Sequence, residues 1–594
     1  MNQIIPIFYA CDDNFIKYTA VSIRSLIDNA DSSRSYHIHI LNTTVSQAHM
    51  DEILLMQTSN VRISFDDVTQ YADKLQGKLP IRDYYTKTTY FRLFIPDMFP
   101  EYEKAIYIDS DTVVPGNVAE LFDHDLKDNY VGAAHEQVMI QVDTYGTYVE
   151  RVCGLDRNAY FNAGVLLLNC RLFREKNLLE RFVSLLGAYN FVVTQDEDYL
   201  NVLCKDRVLW LEQGWNCEVF GDIPCREDEM KVVHYIMVSK PWHYADCRLS
   251  HIFWSYAERT PLVDSIRDEA SSYTDEERVR DNLVCENLLK TAQKEIDRED
   301  NYLNRLNQKR AQDRIKVLNK IEKFEAAGIF DRDVEDDPPS KELKPEDIEY
   351  TPTGLIPRVK TAVAFTAAKI FVRRMMKEKQ LIIKDIVGLE NLKNLDSGAV
   401  ITCNHFNAFD SFAIHLAYMA SGQKKRKFYR VIREGNYTSF PGFYGFLMRN
   451  CNTLPLSSNM RTMCKFIKGV NQRLQEGHFV LFYPEQSMWW NYRKPKPLKN
   501  GAFQFSMMSK VPVLPCFITM KDSDILGTDG FYVQEYTIHI GKAIYPDDSM
   551  GPRESVESMK KENFRQWQEI YEKEYGIPLR YKTNERGQSQ SREA

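Results

Sequence analysis

The sequence has no apolar run long enough to cross a membrane. A helix that spans the hydrocarbon core needs about 20 consecutive apolar residues, and charged residues interrupt every apolar stretch before that length. The first residues, MNQIIPIFYA, lack a basic start and are soon followed by Asp12, so we do not expect a signal peptide. Any contact with a membrane is therefore expected at its surface.

Closely paired cysteines and an excess of positive charge are also absent. The 12 cysteines include no C-x-x-C pair, which argues against a zinc module or a disulfide scaffold. We expect reduced thiols and a cytoplasmic protein that is peripheral on the inner face of the membrane. The formal net charge of −7 argues against nucleic acid as the main partner.

The chain is long enough to form several hydrophobic cores, and an α/β pattern occurs in it twice. With 594 residues it exceeds the usual size of one domain. In residues 3–247 short apolar runs alternate with helical patterns, which predicts an α/β domain with a largely parallel sheet. A second α/β pattern covers residues 387–533.

The region between these patterns is polar. Residues 274–327 contain no Pro or Gly and are rich in charged and amide side chains, which predicts a long solvent-facing helix or a helical hairpin. The acidic run DRDVEDDPP at 331–339 is typical of an exposed linker. We therefore predict four parts, in chain order: an α/β domain at 1–270, a charged helical region with an acidic linker at 271–350, a second α/β domain at 351–580 and a disordered tail at 581–594.

Residues 358–374 form a basic amphipathic stretch with two interpretations. An apolar face flanked by Lys and Arg suits the surface of an anionic membrane, but an ordinary helix that docks on the next domain has the same pattern. The same choice applies to the aromatic segment at 440–448 with Trp489 and Trp490, which either meet lipid or lie in a core.

The run IYIDSD at residues 106–111 carries two carboxylates at the end of an apolar strand. Ligands of open α/β sheets bind beyond the carboxyl ends of strands, and Asp109 and Asp111 can turn toward one cation there. A cation at this position would neutralise the charge of a leaving nucleoside diphosphate. A pair of aspartates in a solvated turn is the commoner explanation of D-x-D alone.

Other runs in the first domain, in the same order, resemble glycosyltransferase family 8, the glycogenin and lipopolysaccharide galactosyltransferase group. They are YACDDN at 9–14, TYFRL at 89–93, FNAGV at 161–165, QDED at 195–198 and HYIMVSKPW at 234–242. The resemblance implies a Rossmann-like, GT-A type domain. It also implies a nucleotide-sugar site formed by Ala10, Asp12, Asn14, Arg92, Asp109, Ser110, Asp111, Asn162, Ala163, Gly164, Asp196, Glu197, His234 and Lys240.

By the same resemblance, Asp109, Asp111 and His234 bind Mn²⁺ or Mg²⁺, and Lys240 contacts the diphosphate. The implied reaction is retaining transfer of a hexose from a UDP-hexose donor. Met237 stands where the family usually has glycine, and Glu197 stands where a glutamine is common, so the backbone contact at Met237 and the role of Glu197 stay open.

The run VITCNHFNAFD at residues 400–410 carries His405 and Asp410 after a second apolar strand. A histidine that is oriented by a carboxylate can take the proton of a hydroxyl that attacks a thioester. The H-x-x-x-x-D spacing alone is common by chance. The later runs FYPE at 482–485, LKNGAF at 498–503 and VPVLP at 511–515 resemble the glycerolipid acyltransferases of the lysophosphatidate type.

This resemblance implies that His405 is the general base, Asp410 orients it and Glu485 helps to hold the acceptor. The implied partners are an acyl-CoA or acyl-carrier-protein donor, a lipid or glycolipid acceptor and a membrane surface. Two family arginines that grip an acceptor phosphate are missing, since Met488 and Pro455 stand in those regions. We therefore expect a neutral or sugar-bearing acceptor, unless Arg493, Lys494 or Lys496 replaces the missing arginines.

Three functions fit these observations. The first is a bifunctional enzyme of glycolipid assembly, in which covalent fusion raises the effective concentration of one product near the second site. In the second, the C-terminal half is only a membrane-binding module of a glycosyltransferase that acts on a glycan or protein. In the third, the acceptor is a glycan or protein, and the C-terminal half acylates a polysaccharide rather than a lipid. The intact pair of His405 and Asp410 argues against the second.

Overall fold

The computed structural model describes residues 4–74, 87–335 and 340–583. The chain divides into two compact units, Met1–Leu306 and Asn307–Ala594. Each is an α/β unit with a seven-stranded sheet, which confirms the predicted fold class. Most of the predicted tail, residues 584–594, and residues 336–339 of the predicted acidic linker lie outside the described residues. The predicted domain boundaries stay predictions.

The elements of the first unit alternate between strands and helices. In chain order they are β1 (Ile4–Ala10), α1 (Ile16–Asn29), β2 (Ser35–Asn42), α2 (Gln47–Leu54), β3 (Val61–Asp67), α3 (Thr69–Lys74), α4 (Ile95–Met98), β4 (Ala105–Ile108), β5 (Thr112–Val113), α5 (Val118–Asp123), β6 (Val131–Ala133), α6 (Gln137–Gln141), α7 (Asp143–Tyr148), β7 (Val165–Leu168), α8 (Cys170–Glu175), α9 (Leu178–Ala188), α10 (Asp196–Leu203), β8 (Val208–Trp210), β9 (Cys217–Glu218), β10 (Val233–His234), α11 (Ser250–Ala257), α12 (Val263–Ser272) and α13 (Asp275–Asp297).

The main sheet of the first unit has the strand order β3-β2-β1-β4-β7-β6-β8. Strand β1 is parallel to β2 and β4, whereas β7 is antiparallel to both of its neighbours. Separate apolar clusters contain alternate residues of these strands, as expected for a sheet covered on both faces. Because β1 and β4 are parallel neighbours, the residues after Ala10 and after Ile108 meet at one edge of the sheet.

Several helices follow where the sequence predicts a charged helical region. Helix α13 begins with a capping box of Thr274 and Glu277 and packs Leu288 and Ala292 into the core of the first unit. Helices α14 (Tyr302–Gln308) and α15 (Gln312–Ala326) come next. In the second unit, Ile321 of α15 packs against Trp489. The helical prediction is confirmed, but α13 and α15 each bury some side chains and are not solely solvent-facing.

The second unit contains the remaining elements. In chain order they are α16 (Leu355–Lys377), β11 (Ile382–Val387), α17 (Leu389–Lys393), β12 (Ala399–Thr402), α18 (Asp410–Ser421), β13 (Phe428–Ile432), α19 (Glu434–Thr438), α20 (Gly442–Asn450), β14 (Thr453–Pro455), α21 (Met460–Gln475), β15 (Phe479–Phe482), α22 (Gly501–Ser509), β16 (Val513–Leu526), β17 (Tyr532–Ile540) and α23 (Pro552–Tyr575). The sheet order is β11-β17-β16-β12-β15-β13-β14. Only β16 and β17 are antiparallel neighbours in it.

Helix α16 corresponds to the basic amphipathic stretch. It carries six basic and no acidic residues. One face packs through Ala364, Val372 and Met375, while Ile356 and Ile370 are 70% and 65% exposed. Among the described residues no helix is long and apolar enough to span a membrane.

Candidate functional sites

Asp109, Asp111 and His234 form the candidate metal site of the first unit. Asp109 and Asp111 follow β4, and His234 belongs to β10, which pairs with β5 so that His234 lies opposite Thr112. This pairing brings one ligand atom from each of the three residues within 4.8 Å of the others. Carboxylate oxygens and one imidazole nitrogen suit Mn²⁺ or Mg²⁺, so the residues fit the predicted cation.

Asp111 and His234 are held by further contacts. Lys240 Nζ lies 2.6 Å from Asp111, and His234 Nε2 lies 3.2 Å from it. Burial acts to raise the pKa of Asp111, but Lys240 and then His234 outweigh it and keep this pKa below its usual range. His234 Nδ1 donates to Asn216 Oδ1 at 2.9 Å, which leaves Nε2 as the nitrogen that can bind a cation. The role of Asn216 was not predicted from the sequence.

Arg92 connects three parts of the site. Its buried guanidinium donates to Asp109 at 3.0 Å and to the carbonyl of Ala163, and it lies 3.2 Å from Asp196. Burial acts to lower the pKa of Arg92, but Asp109 and the other nearby acids raise it. Burial raises the pKa of Asp196 to about 6, and Arg92 opposes this. Arg92 thus fixes the first metal-binding carboxylate in place.

The predicted nucleotide-sugar residues largely share one cavity of about 280 Å³. Those that line it are Ala10, Asp12, Arg92, Asp109, Ser110, Asp111, Asn162, Ala163, Asp196, Glu197, His234 and Lys240. Asn14 is exposed and does not line it; its N–H donates to Asp12. Gly164 lies behind the wall, where an added Cβ would clash with the ring of His234.

The two departures from the family pattern have local explanations. Met237 adopts a φ of 55°, the left-handed conformation that favours glycine. The backbone at this position therefore has a conformation that a glycine would adopt easily, although the residue is methionine. Glu197 accepts a hydrogen bond from Ala163 N–H at 2.8 Å. Burial and then Glu136 raise the pKa of Glu197 well above its usual range. Glu136, which the sequence did not single out, also lines the cavity and binds Asn162.

In the second unit, His405 and Asp410 form a dyad. His405 lies in the loop after β12, and Asp410 is the first residue of α18. His405 Nδ1 donates to Asp410 Oδ2 at 2.7 Å, and Tyr483 OH donates to Asp410 Oδ1 at 2.7 Å. The ring of Tyr483 stacks on His405 at 4.1 Å. This arrangement leaves Nε2 of His405 able to accept a proton, and the part played by Tyr483 was not predicted.

Glu485 lies behind the dyad. Its side chain is 2% exposed and accepts hydrogen bonds from the N–H groups of His405 at 3.0 Å and of Lys496 at 2.9 Å. Glu485 is absent from the described residues that line the cavity in front of His405. The geometry therefore favours a positioning role over the predicted contact with the acceptor.

A cavity of about 1360 Å³ opens in front of His405 and Asp410. Its apolar walls come from α16, α18 and α20 through Phe365, Val372, Phe412, Leu416, Tyr444 and Leu447. Such walls suit an acyl chain. Phe440, Phe443 and Tyr444 are 38–50% exposed, so these rings of the aromatic segment are only partly covered.

The basic residues considered as a replacement clamp are engaged elsewhere. Lys494 pairs with Glu325 at 2.7 Å, Arg493 lies 3.5 Å from Asp522, and Lys496 is fully buried beside Glu485. The described cavity lining contains none of the three.

Other cations line this cavity instead, and they are Lys369, Arg373, Lys427, Arg430, Arg433 and Lys499. Trp489, placed at a membrane in one of the two interpretations, is buried and stacks on Phe330, so the core interpretation is correct for it. Trp490 is half-buried and packs edge to face against Phe531.

Several known proteins are similar to part of this chain. A putative glycosyltransferase of Haemophilus influenzae is 27% identical over 46% of this chain and 83% of the relative. The lipopolysaccharide 1,2-glucosyltransferase of Escherichia coli is 27% identical over 41% of this chain and 74% of the relative. The crystal structure of galactosyltransferase LgtC with donor and acceptor sugar analogues is 24% identical, covers 45% of this chain and all of that one, and has a TM-score of 0.37.

Two family models match separate parts of the chain. Glycosyl transferase family 8 matches residues 6–246, and the acyltransferase family matches residues 384–519. The first match contains the candidate metal site, and the second contains the dyad and Glu485. The chain is therefore a transferase that carries a glycosyl transferase family 8 domain followed by an acyltransferase domain.

Proposed function

We propose that the protein is a bifunctional enzyme of glycolipid assembly. Its first unit transfers a hexose from a UDP-hexose with retention, and its second unit transfers an acyl group from an acyl-CoA or acyl-carrier-protein thioester to a lipid or glycolipid hydroxyl. The observation that supports this most directly is the presence of two complete sets of polar groups, the Asp109, Asp111 and His234 cluster and the His405–Asp410 dyad.

In the sugar-transfer site, Asp109, Asp111 and His234 would hold a divalent cation. Mn²⁺ or Mg²⁺ bound there would neutralise negative charge on the diphosphate leaving group. Lys240, already 2.6 Å from Asp111, would supply a second positive charge to the same group. Arg92 keeps Asp109 oriented, and the cavity positions the donor against its acceptor. The protein thus contributes orientation and electrostatic stabilisation.

In the acyl-transfer site, His405 acts as the general base. Its Nε2 takes the proton of the acceptor hydroxyl while the oxygen forms a bond to the thioester carbonyl carbon. The carbon–sulfur bond then breaks, and the departing thiolate takes the proton from His405. Asp410 holds the imidazole in the required tautomer and stabilises its positive charge during the reaction.

The membrane surface is the proposed location of acyl transfer, on the cytoplasmic side. Helix α16 presents exposed Leu355, Ile356 and Val359 next to basic side chains, a combination that favours an anionic lipid surface. The same helix lines the cavity through Phe365 and Val372. A lipid acceptor bound at the surface would therefore be close to the dyad.

The test is an incubation of the protein with lipid extract, a panel of UDP-sugars and a panel of acyl thioesters, followed by mass spectrometry. A lipid product that gains a hexose in one reaction and an acyl group in another supports both activities. The Asp111→Asn and His405→Ala proteins are matched controls, because each should remove only one of the two products. If no lipid gains a hexose and no lipid gains an acyl group, the proposal is contradicted.

A further inference from the structure

The segment Phe330–Glu335 forms part of the wall of the acyltransferase cavity. Ser487 Oγ donates to the carbonyl of Phe330 at 2.6 Å, and Trp489 Nε1 donates to the carbonyl of Arg332 at 2.8 Å. Phe330 stacks on the buried Trp489. Asp333 and Glu335 line the cavity together with His405. The segment is therefore fixed to the acyltransferase site by its backbone, and it places carboxylates there.

Asp333 lies in the wall of this cavity at a point where two hydrogen-bond donors converge on its carboxylate. Its Oδ1 accepts hydrogen bonds from Arg433 Nη2 at 2.7 Å and from the N–H of Met488 at 3.0 Å. A guanidinium and a peptide N–H aimed at one oxygen form the donor set that also suits a phosphate oxygen. Next to this pair, Asp331 lies 3.1 Å from Lys499, a second cation of the lining.

We propose that Asp333 sets acceptor specificity by filling the position that an acceptor phosphate would otherwise take. The proposal rests on the acyl transfer proposed above. With Asp333 bound to Arg433, the site selects an acceptor whose head group is uncharged and rich in hydroxyls, such as the sugar of a glycolipid. Asp333 is a specificity-determining residue and takes no part in proton transfer.

The physical reason is the charge already present. A phosphate beside Asp333 would place two anions around one guanidinium, and like charges in contact oppose binding strongly where water is partly excluded. A sugar hydroxyl instead donates a hydrogen bond to a carboxylate without adding charge. The Asp333–Arg433 pair therefore disfavours head groups that carry a phosphate and allows head groups that carry sugar hydroxyls.

The test compares the binding of two soluble short-chain acceptors by calorimetry, using the full-length protein. One is a 1-acylglycerol 3-phosphate, and the other is the corresponding 1-acyl-3-glucosylglycerol. The decisive variant is Asp333→Asn, which keeps an oxygen for the N–H of Met488 but removes the charge. The control variant is Glu342→Gln, because Glu342 binds Asn459 Nδ2 at 3.1 Å and does not line the cavity.

We expect the wild type to prefer the glucosylglycerol and Asp333→Asn to shift the ratio of the two affinities toward the phosphate by about tenfold or more. Glu342→Gln should leave the ratio within about twofold of the wild type. A ratio unchanged by Asp333→Asn, or moved equally by Glu342→Gln, would overturn the proposal. The calorimetry measures binding and not acyl transfer, so the two proposals fail separately. Absence of acyl transfer to any hydroxyl would contradict the proposed function alone.

Discussion

Replacement of Asp410 by asparagine tests the acyltransferase dyad. The Asp410 carboxylate is 1% exposed and accepts hydrogen bonds from His405 Nδ1, from Tyr483 OH and from the N–H of Phe406 at 3.2 Å. An amide of the same shape still offers one oxygen. Its oxygen can still accept from His405 Nδ1 and from the N–H of Phe406, while its NH₂ can donate to Tyr483 OH, so the tautomer of His405 is kept but the negative charge beside it is lost.

The expected magnitude follows from the loss of that charge. Without the carboxylate, the imidazolium that forms when His405 takes the proton of the acceptor hydroxyl is no longer stabilised, and impaired general base catalysis lowers the turnover number by about 10²-fold or more. Loss of a hydrogen bond to a buried charge also costs about 2 kcal/mol of folding stability. Tyr483→Phe keeps the stacked ring and removes only one hydrogen bond, so we expect about a fivefold loss of rate.

The assay is release of free thiol from an acyl thioester in the presence of an acceptor lipid, measured beside sugar transfer by the same protein. Sugar transfer serves as the internal control for the amount of active protein, and a thermal melt of the variant checks that the second unit is folded. Nitrogen chemical shifts of the His405 ring report which tautomer is present. An Asp410→Asn protein that keeps more than about one fifth of the wild-type thiol release would refute the role of the dyad.

Further predictions concern the first unit. EDTA and Asp111→Asn should each abolish hydrolysis of UDP-sugar and sugar transfer; full activity in chelator would contradict the metal assignment. A protein that ends at Gln308 and so keeps α13 should still hydrolyse UDP-sugar, whereas a folded but inert product would mean that the two units act as one. Burial raises the pKa of Asp196 from 3.8 to about 6. The folded state therefore retains a proton that the unfolded chain releases, and stability should fall by about 3 kcal/mol as the pH rises from about 4 to above 6. Thermal melts of Asp196→Asn should lack this dependence.

Features that depend on neighbours along the chain were predicted from the sequence. The apolar strands before Asp109 and His405 were visible as short β-rich runs, and the structure places both residues just after strands. The five-residue spacing of His405 and Asp410 works because Asp410 begins a helix directly after the loop. In these places the local pattern determines where the side chain lies.

Contacts between distant residues could not be predicted in this way. Asn216, which orients His234, is 18 residues before it, Tyr483 is 73 residues after Asp410, and Arg433 is 100 residues after Asp333. Each pair depends on strand order and on loops from different elements. The expected substitutes for the missing arginines lie near Glu485 in sequence, whereas the cations that line the cavity come from α16, from β13 and its flanking residues, and from the residues before α22.

On the proposals above, the two sites would treat the negative charge of a phosphate in opposite ways. In the first, Arg92 and Lys240 already pair with Asp109 and Asp111, and a divalent cation bound there would add positive charge that suits a diphosphate. In the second, Asp333 cancels the charge of Arg433. If Asp333 has the proposed role, a head group that carries a sugar and no phosphate suits the acyltransferase site, and such a head group is what the proposed hexose transfer to a neutral lipid would produce.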